Sequence, residues 1–194
     1  MQAIGARFED PVDPVRIFFQ LLEGGAEMHG KDGEHPHGDI GQLILLSLFL
    51  VVWVGDSFSL RVSTFLSDIV SVYIRLGLLS LALIIAAYLA RSGHVVVNPG
   101  GRATGVVSTG AFRYVRHPLY LASILTCLGL AVATASLLSL ALSAGIAFFY
   151  NYIAGYEEEA LLAKYGEEYS MYRERTGKWL PVIRKTVGYT ETRK

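Results

Sequence analysis

Long apolar runs alternate with short polar connections along this chain, and the runs have the lengths of membrane-crossing helices. Residues 40–54 are apolar apart from Gln42 and Ser47, and residues 70–90 are apolar apart from Ser71, Arg75 and Ser80. Since about 20 apolar residues suffice to cross a hydrocarbon core of about 30 Å, each run predicts a spanning helix, the first on the short side. Residues 119–155 contain no charged residue at all. As one straight helix that run would extend roughly 55 Å, far beyond the core. It therefore predicts a tight hairpin turning near Thr134, Ala135 and Ser136, because lipid tolerates only backbone whose hydrogen bonds are satisfied. The pattern describes an all-α membrane protein with about four spans, the last two forming a C-terminal helical hairpin.

The polar segments set the orientation. Residues 91–118 hold Arg91, Arg102, Arg113 and Arg116 with no acid, and the C-terminal tail is rich in Lys and Arg. Both belong on the cytoplasmic side, which places both termini there and leaves residues 55–69 and the hairpin tip outside. The loop before the hairpin and the tail after it then meet on one face. Arg75, the one formal charge within a span, falls near the outer end of its helix and is read as a snorkelling side chain. Residues 1–39 carry eight acids and no basic-then-apolar order, so no secretory signal is expected. Within them Asp13-Pro14 and Gly24-Gly25 frame a short helix carrying Ile17, Phe18, Leu21 and Leu22, suited to the membrane surface. His29, His35 and His37 lie near Asp32 and Glu34, but Gly30, Gly33 and Pro36 describe a floppy solvated loop, and no metal site is expected.

Composition agrees with this picture. The chain is 52% hydrophobic and 18% charged, with a mean hydropathy of +0.40, against about 25% charged in soluble proteins. Lys plus Arg and Asp plus Glu are 17 each, so no polyanion is implied and nucleic acid is excluded as a partner. The single cysteine, Cys127, permits neither an intrachain disulfide nor a thiolate cluster.

The chemistry gathers at the two ends of the hairpin. On the tail side, Tyr156, Glu157, Glu158 and Glu159 follow the uncharged run directly, and Leu161, Tyr165, Tyr169 and Tyr172 recur at helical spacing. They predict a cytoplasmic amphipathic helix ending near Gly177, with Glu157 on the protein-facing stripe. Three glutamates in a first helical turn would also complement the helix dipole, and that alternative stays open on the spacing alone. The Tyr172 hydroxyl is expected at headgroup level among the tail tyrosines. On the loop side, Pro118 fits a first helical turn with His117 just outside it, and the exposed amides of such a turn can hold a carboxylate. The glycine-rich stretch 98–105 lacks Gly-Lys-Ser/Thr and follows a membrane helix, so a nucleotide loop is rejected. Gly-x-Ser-x-Gly and His-Glu-x-x-His are absent, which leaves serine hydrolase and zinc protease readings without support.

Taken together, Gly110-Ala111-Phe112-Arg113-Tyr114-Val115-Arg116-His117-Pro118-Leu119-Tyr120, the uncharged hairpin, and Glu157-Glu158 with Leu161, Tyr165-Gly166, Tyr169 and Tyr172 resemble the isoprenylcysteine carboxyl methyltransferase family of integral membrane enzymes. The resemblance covers roughly residues 95–182. It implies a cytoplasm-facing pocket for S-adenosylmethionine, in which Thr104, Gly105, Val106 and Val107 wrap the cofactor and Phe112 lies beside it. By the same resemblance His117, Pro118, Leu119 and Tyr120 form the helix start on which it rests, and Glu157 binds its polar end. The implied organisation is a polar cytoplasmic segment at 1–39, two spanning helices at 40–90, a methyltransferase core at 91–182 and a basic tail at 183–194. In-line methyl transfer needs alignment and dryness rather than a triad or a metal. A lipophilic small molecule or prenylated acceptor would enter sideways from the bilayer.

One position departs from the family. The carboxyl methyltransferases carry a substrate-binding arginine four residues before the first glutamate, where this chain has Ile153. Asn151, Tyr152 and Tyr156 could donate there, or Arg113 or Arg116 could reach in from the loop. An amine acceptor becomes competitive, because phospholipid N-methyltransferases resemble the same plan, and Glu158 would then be the general base. A thiol acceptor remains open, as does a non-catalytic membrane scaffold or transporter, for which donor binding would be absent or would survive Glu157→Ala.

Overall fold

The computed structural model describes residues 38–97 and 105–182. The expected surface helix, the three N-terminal histidines, Thr104 and the basic tail lie outside the described residues. Helix α1 (Gly38–Val54) runs on as a π-helical turn (Gly55–Leu60), and a 3-10 turn (Phe65–Asp68) leads to α2 (Val72–Val97). A second 3-10 turn (Gly110–Arg113) precedes α3 (Pro118–Thr134), α4 (Leu137–Tyr165) and α5 (Glu167–Arg175). The all-α architecture follows the apolar runs. Gly41–Leu60, Val72–Gly93 and Leu137–Tyr165 are long and apolar enough to cross a membrane, whereas the apolar α3 has 17 residues, about 25 Å of rise. Exposed Ile44, Val51, Ile84 and Phe148 mark surfaces suited to lipid.

Two boundaries differ from the sequence expectation. α2 continues past the apolar run to Val97 and carries Gly93 within it, where a Cβ would stand 3.0 Å from the Leu119 side chain of α3. Likewise α4 does not stop at the end of the uncharged run. Residues 156–165 are mostly strong helix formers, so the helix continues to Tyr165 and breaks at Gly166, whose φ of 54° costs glycine little. The expected single tail helix is thus the end of α4 plus the short α5. Glu157 stands deep inside α4 and not in a first turn, which removes the helix-dipole explanation of the glutamates.

The hairpin turns where expected. Ala135 takes a left-handed conformation (φ 54°), its N–H bonding the Ala131 and Val132 carbonyls, and the Ser136 side chain caps α4 by accepting from the Ser139 N–H. Arg75 pins this turn, its Nη1 donating to Ala133 O at 2.7 Å, its Nη2 to Ser67 O at 3.3 Å and its Nε to Val70 O at 3.1 Å. Its place near the end of a span therefore has a structural use. Beside it, buried Asp56 accepts from the Ser63 N–H at 3.0 Å and from the Ser63 and Ser136 hydroxyls. Ser63 in turn receives the Leu137 and Leu138 N–H groups, which ties the end of α1 to the hairpin tip.

Small residues let the helices approach. A Cβ on Gly129 of α3 would stand 3.0 Å from Ala82 Cβ of α2, and one on Gly41 of α1 would collide with the Phe149 ring of α4. Phe49, Cys127, Ile146 and Tyr150 form one core between α1, α3 and α4, and Ala86, Leu89, Ala111, Val115 and Ala122 form a second beneath the loop before α3. The first core seats α3 against the middle of α4, and the second seats the loop and the start of α3 against α2.

Candidate active site

His117 caps α3, and Pro118 occupies the first turn, so Tyr120 falls one turn on along the same face. The buried imidazole stands between two glutamates of α4: Nε2 is 3.0 Å from Glu158 Oε1 and Nδ1 is 3.6 Å from Glu157 Oε2. The Tyr120 hydroxyl donates to Glu157 Oε1. Aromatic rings close the cluster. His117 stacks on Tyr120 with planes 2° apart, Tyr120 stacks on Tyr150 at 4.9 Å, and the Trp179 ring lies 5.9 Å from the imidazole. Neither Leu119 nor Tyr120 has a helical acceptor for its N–H, since Leu121 makes the first closure, to His117 O.

Arg116 fastens this cluster from outside. Its Nε and Nη2 donate to the two oxygens of Glu158 at 3.0 and 3.2 Å, and its Nη1 donates to Arg173 O at 2.9 Å and Thr176 O at 2.8 Å. Its backbone N–H bonds Gly177 O at 2.9 Å, beside the Val115–Gly177 bridge. One guanidinium therefore joins the loop before α3, the far part of α4 and the chain leaving α5, and that chain carries Trp179 onto His117. The indole N–H is held by Asn151 Oδ1 at 3.1 Å.

α5 also ties down the loop. Glu168 Oε1 accepts from the Val106 N–H at 2.9 Å, and Gly105 fits beside it because a Cβ there would stand 2.9 Å from the same oxygen. Tyr172 corrects its sequence expectation: its hydroxyl donates to Phe112 O at 2.7 Å, so it serves the loop and not the headgroup layer. Burial pushes that hydroxyl up to about 12, which keeps it a donor at neutral pH.

The structure thus brings His117, Pro118, Tyr120, Glu157 and Glu158 together. Leu119 contributes backbone only, its side chain packing toward Gly93 of α2. Gly105 and Val106 lie against Glu168 of α5 and the Phe112 carbonyl against Tyr172; Val107 follows them in the chain, and Thr104 lies outside the described residues. Both oxygens of Glu158 are occupied by Arg116 and one also by His117. The Arg116 guanidinium is engaged by Glu158 and by the Arg173 and Thr176 carbonyls, Arg113 is exposed, and Ile153 is buried, with 3% of its surface exposed. The ties made by Arg116, Glu168, Lys178 and Trp179 carry no periodic signal and escaped the sequence reading.

No curated protein matches the chain. The model of the phospholipid methyltransferase family matches residues 69–168, a little over half of the chain, and those residues contain α2, the hairpin and all five clustered site residues. The chain therefore belongs to the phospholipid methyltransferase family of integral membrane methyltransferases, related to the isoprenylcysteine carboxyl methyltransferases.

Proposed function

We propose that this protein methylates an amine on a membrane lipid with S-adenosylmethionine as donor, at a site between the first turn of α3 and Glu157. The observation that carries the reading is the position of Glu157. One of its oxygens is bound by Tyr120, and the other faces His117 at 3.6 Å, too far for a hydrogen bond. That oxygen is suited to the ammonium of the donor, the Leu119 and Tyr120 amides to its carboxylate, and the Tyr120, Tyr150 and Trp179 rings to its sulfonium. The residues present fit the group. Gly105, Val106, Val107 and Phe112 serve in this reading as the wall beside it, with Thr104 next to them in the chain.

The bound donor supplies an electrophilic methyl whose C–S electron pair leaves with sulfur as the acceptor lone pair forms the new bond. The protein aligns the partners and keeps water out, for which the packed rings and the Trp179 segment are suited. His117, between two carboxylates, is placed to take the acceptor proton. Glu158, the base expected from the sequence, fixes that imidazole and Arg116 instead. An amine acceptor is better supported than a prenylcysteine carboxylate, because Ile153 is buried where the carboxyl methyltransferases carry an arginine, and Arg116 is engaged elsewhere. The arginine-rich loop supports a cytoplasmic orientation of the site.

Calorimetric titration of the purified protein with S-adenosylhomocysteine, beside Glu157→Gln, tests the donor site. Binding that the substitution weakens is the expected result; equal binding in both proteins overturns it. Labelled methyl transfer is then compared between phosphatidylethanolamine and a prenylcysteine. Transfer to the prenylcysteine alone restores the carboxylate reading, and absence of donor binding favours a non-catalytic scaffold.

A further inference from the structure

Lys178 lies outside the residues that match the family and has no part in the chemistry above. It belongs to the segment that Arg116 draws back over α4. Its ammonium donates to the Asn151 carbonyl at 3.0 Å and lies 5.9 Å from the centre of the Trp179 ring. Gly155, one turn further along the same face of α4, leaves the neighbouring space open; a Cβ there would stand 3.9 Å from Nζ. Among the described residues no carboxylate pairs with this ammonium. Yet Glu159, Glu167 and Glu174 are near it in sequence or on the adjoining helices, so acids are not scarce in this part of the chain.

The position of this charge is informative. Asn151 and Gly155 occupy the last turns of the uncharged stretch, just before Glu157, which is the depth of lipid headgroups. Tyr152 beside them is 65% exposed, and Ile153 is buried, so α4 offers no cation of its own there. A lysine ammonium has three N–H groups and Lys178 gives one to the carbonyl. Asn151, with Oδ1 held by the indole, keeps its amide nitrogen as a donor. Two donors, one of them charged, therefore stand at the membrane end of a cluster whose other end is Glu157, about 9 Å further along the helix.

We propose that Lys178, assisted by Asn151, binds the phosphate of the acceptor lipid and so makes this protein select acceptors that carry an anionic group close to the amine. With its phosphate on Lys178, a lipid extends its amine along α4 toward His117 and Glu157. Trp179 separates the two ends and fixes both, through Asn151 on one side and His117 on the other. The inference rests on the reading of the site as a lipid amine methyltransferase, and it adds the residue that sets acceptor preference.

The test uses the full chain in detergent, as wild type, Lys178→Gln and Lys178→Arg. Dihexanoyl phosphatidylethanolamine, dodecylamine and inorganic phosphate are titrated by calorimetry, and KM and kcat are measured for the two amines. Losing a charge-assisted hydrogen bond should weaken phosphatidylethanolamine binding and raise its KM about tenfold in Lys178→Gln, with a change under about twofold for dodecylamine. Lys178→Arg should recover most of the loss. Equal losses for both amines would reduce Lys178 to a structural clip, and unchanged phosphatidylethanolamine binding would remove it from recognition; either overturns the proposal. Inorganic phosphate bound as tightly as the lipid would assign the site to a free anion and overturn it as well. Absence of methyl transfer to both amines would defeat the amine methyltransferase reading, while the lipid titration still decides Lys178.

Discussion

The two ends of the helix bundle each bury a carboxylate, and they use it differently. At the hairpin tip, Asp56 accepts from one backbone amide and two serine hydroxyls, groups that do not titrate near neutral pH and that belong to the chain's own turns. Around His117, Glu158 is held by a guanidinium and an imidazole, while Glu157 keeps one oxygen out of hydrogen-bonding range of its neighbour. Both arrangements satisfy buried charge, as they must. The tip saturates its acid from fixed donors and ends there; the other end joins its acids to an ionisable ring and leaves acceptor capacity over. A buried carboxylate alone therefore does not mark chemistry. The unfilled acceptor beside a titratable partner does.

The largest expected effect separates the two ends. Asp56→Ala should cost about 4 kcal/mol of stability by orphaning three donors, seen as a lower unfolding midpoint in detergent, while the folded fraction binds S-adenosylhomocysteine with wild-type affinity; weakened affinity would make the tip part of the site. Arg116→Ala should cost about 3 kcal/mol because it leaves Glu158 buried without its cation. Unlike the first, it should also weaken S-adenosylhomocysteine, since Trp179 loses its tether; stability loss with unchanged affinity would reduce Arg116 to scaffold. Glu157→Gln should weaken the same ligand about thirtyfold, about 2 kcal/mol, with an unfolding midpoint close to wild type.

Tyr172→Phe gives the smallest change, about 1 kcal/mol for one hydrogen bond to Phe112 O. Its pH dependence has a definite sign. The hydroxyl titrates higher in the folded protein than its ordinary 10.0, so its contribution is complete below pH 10 and is lost as pH rises through about 12. Stability measured from pH 7 to 12 should converge between wild type and Tyr172→Phe at the alkaline end; a constant difference would remove the hydroxyl from the account.

Much of this molecule was legible before its structure. The apolar runs and the turn at Ala135 follow from local composition, and each survived; that His117 stands between Glu157 and Glu158 came only from the structure. Arg75 was read as a snorkelling side chain, whereas it donates to carbonyls of the chain's own turns. The tail was misdrawn, because residues 156–165 read equally well as a new helix or as the end of an old one, and α4 runs through them unbroken to Gly166. Tyr172 was assigned to the headgroup layer because its spacing matched the other tail tyrosines, and spacing says nothing about a carbonyl 60 positions away.

The sequence by itself determined that apolar helices run through the chain and turn back near Ala135, that they suit a membrane, and which residue types stand at the ends of the hairpin. Hydrophobic periodicity, glycine and proline act over a few residues, and a single chain displays them openly. Only the tertiary structure decided that Arg116 closes on Glu158 across 42 positions and Lys178 on Asn151 across 27. Whether a buried group is occupied or free depends on which donors the packed helices bring to it. Those partners come from separate segments whose approach is set by small residues such as Gly41 and Gly129, and no local pattern records the pairing.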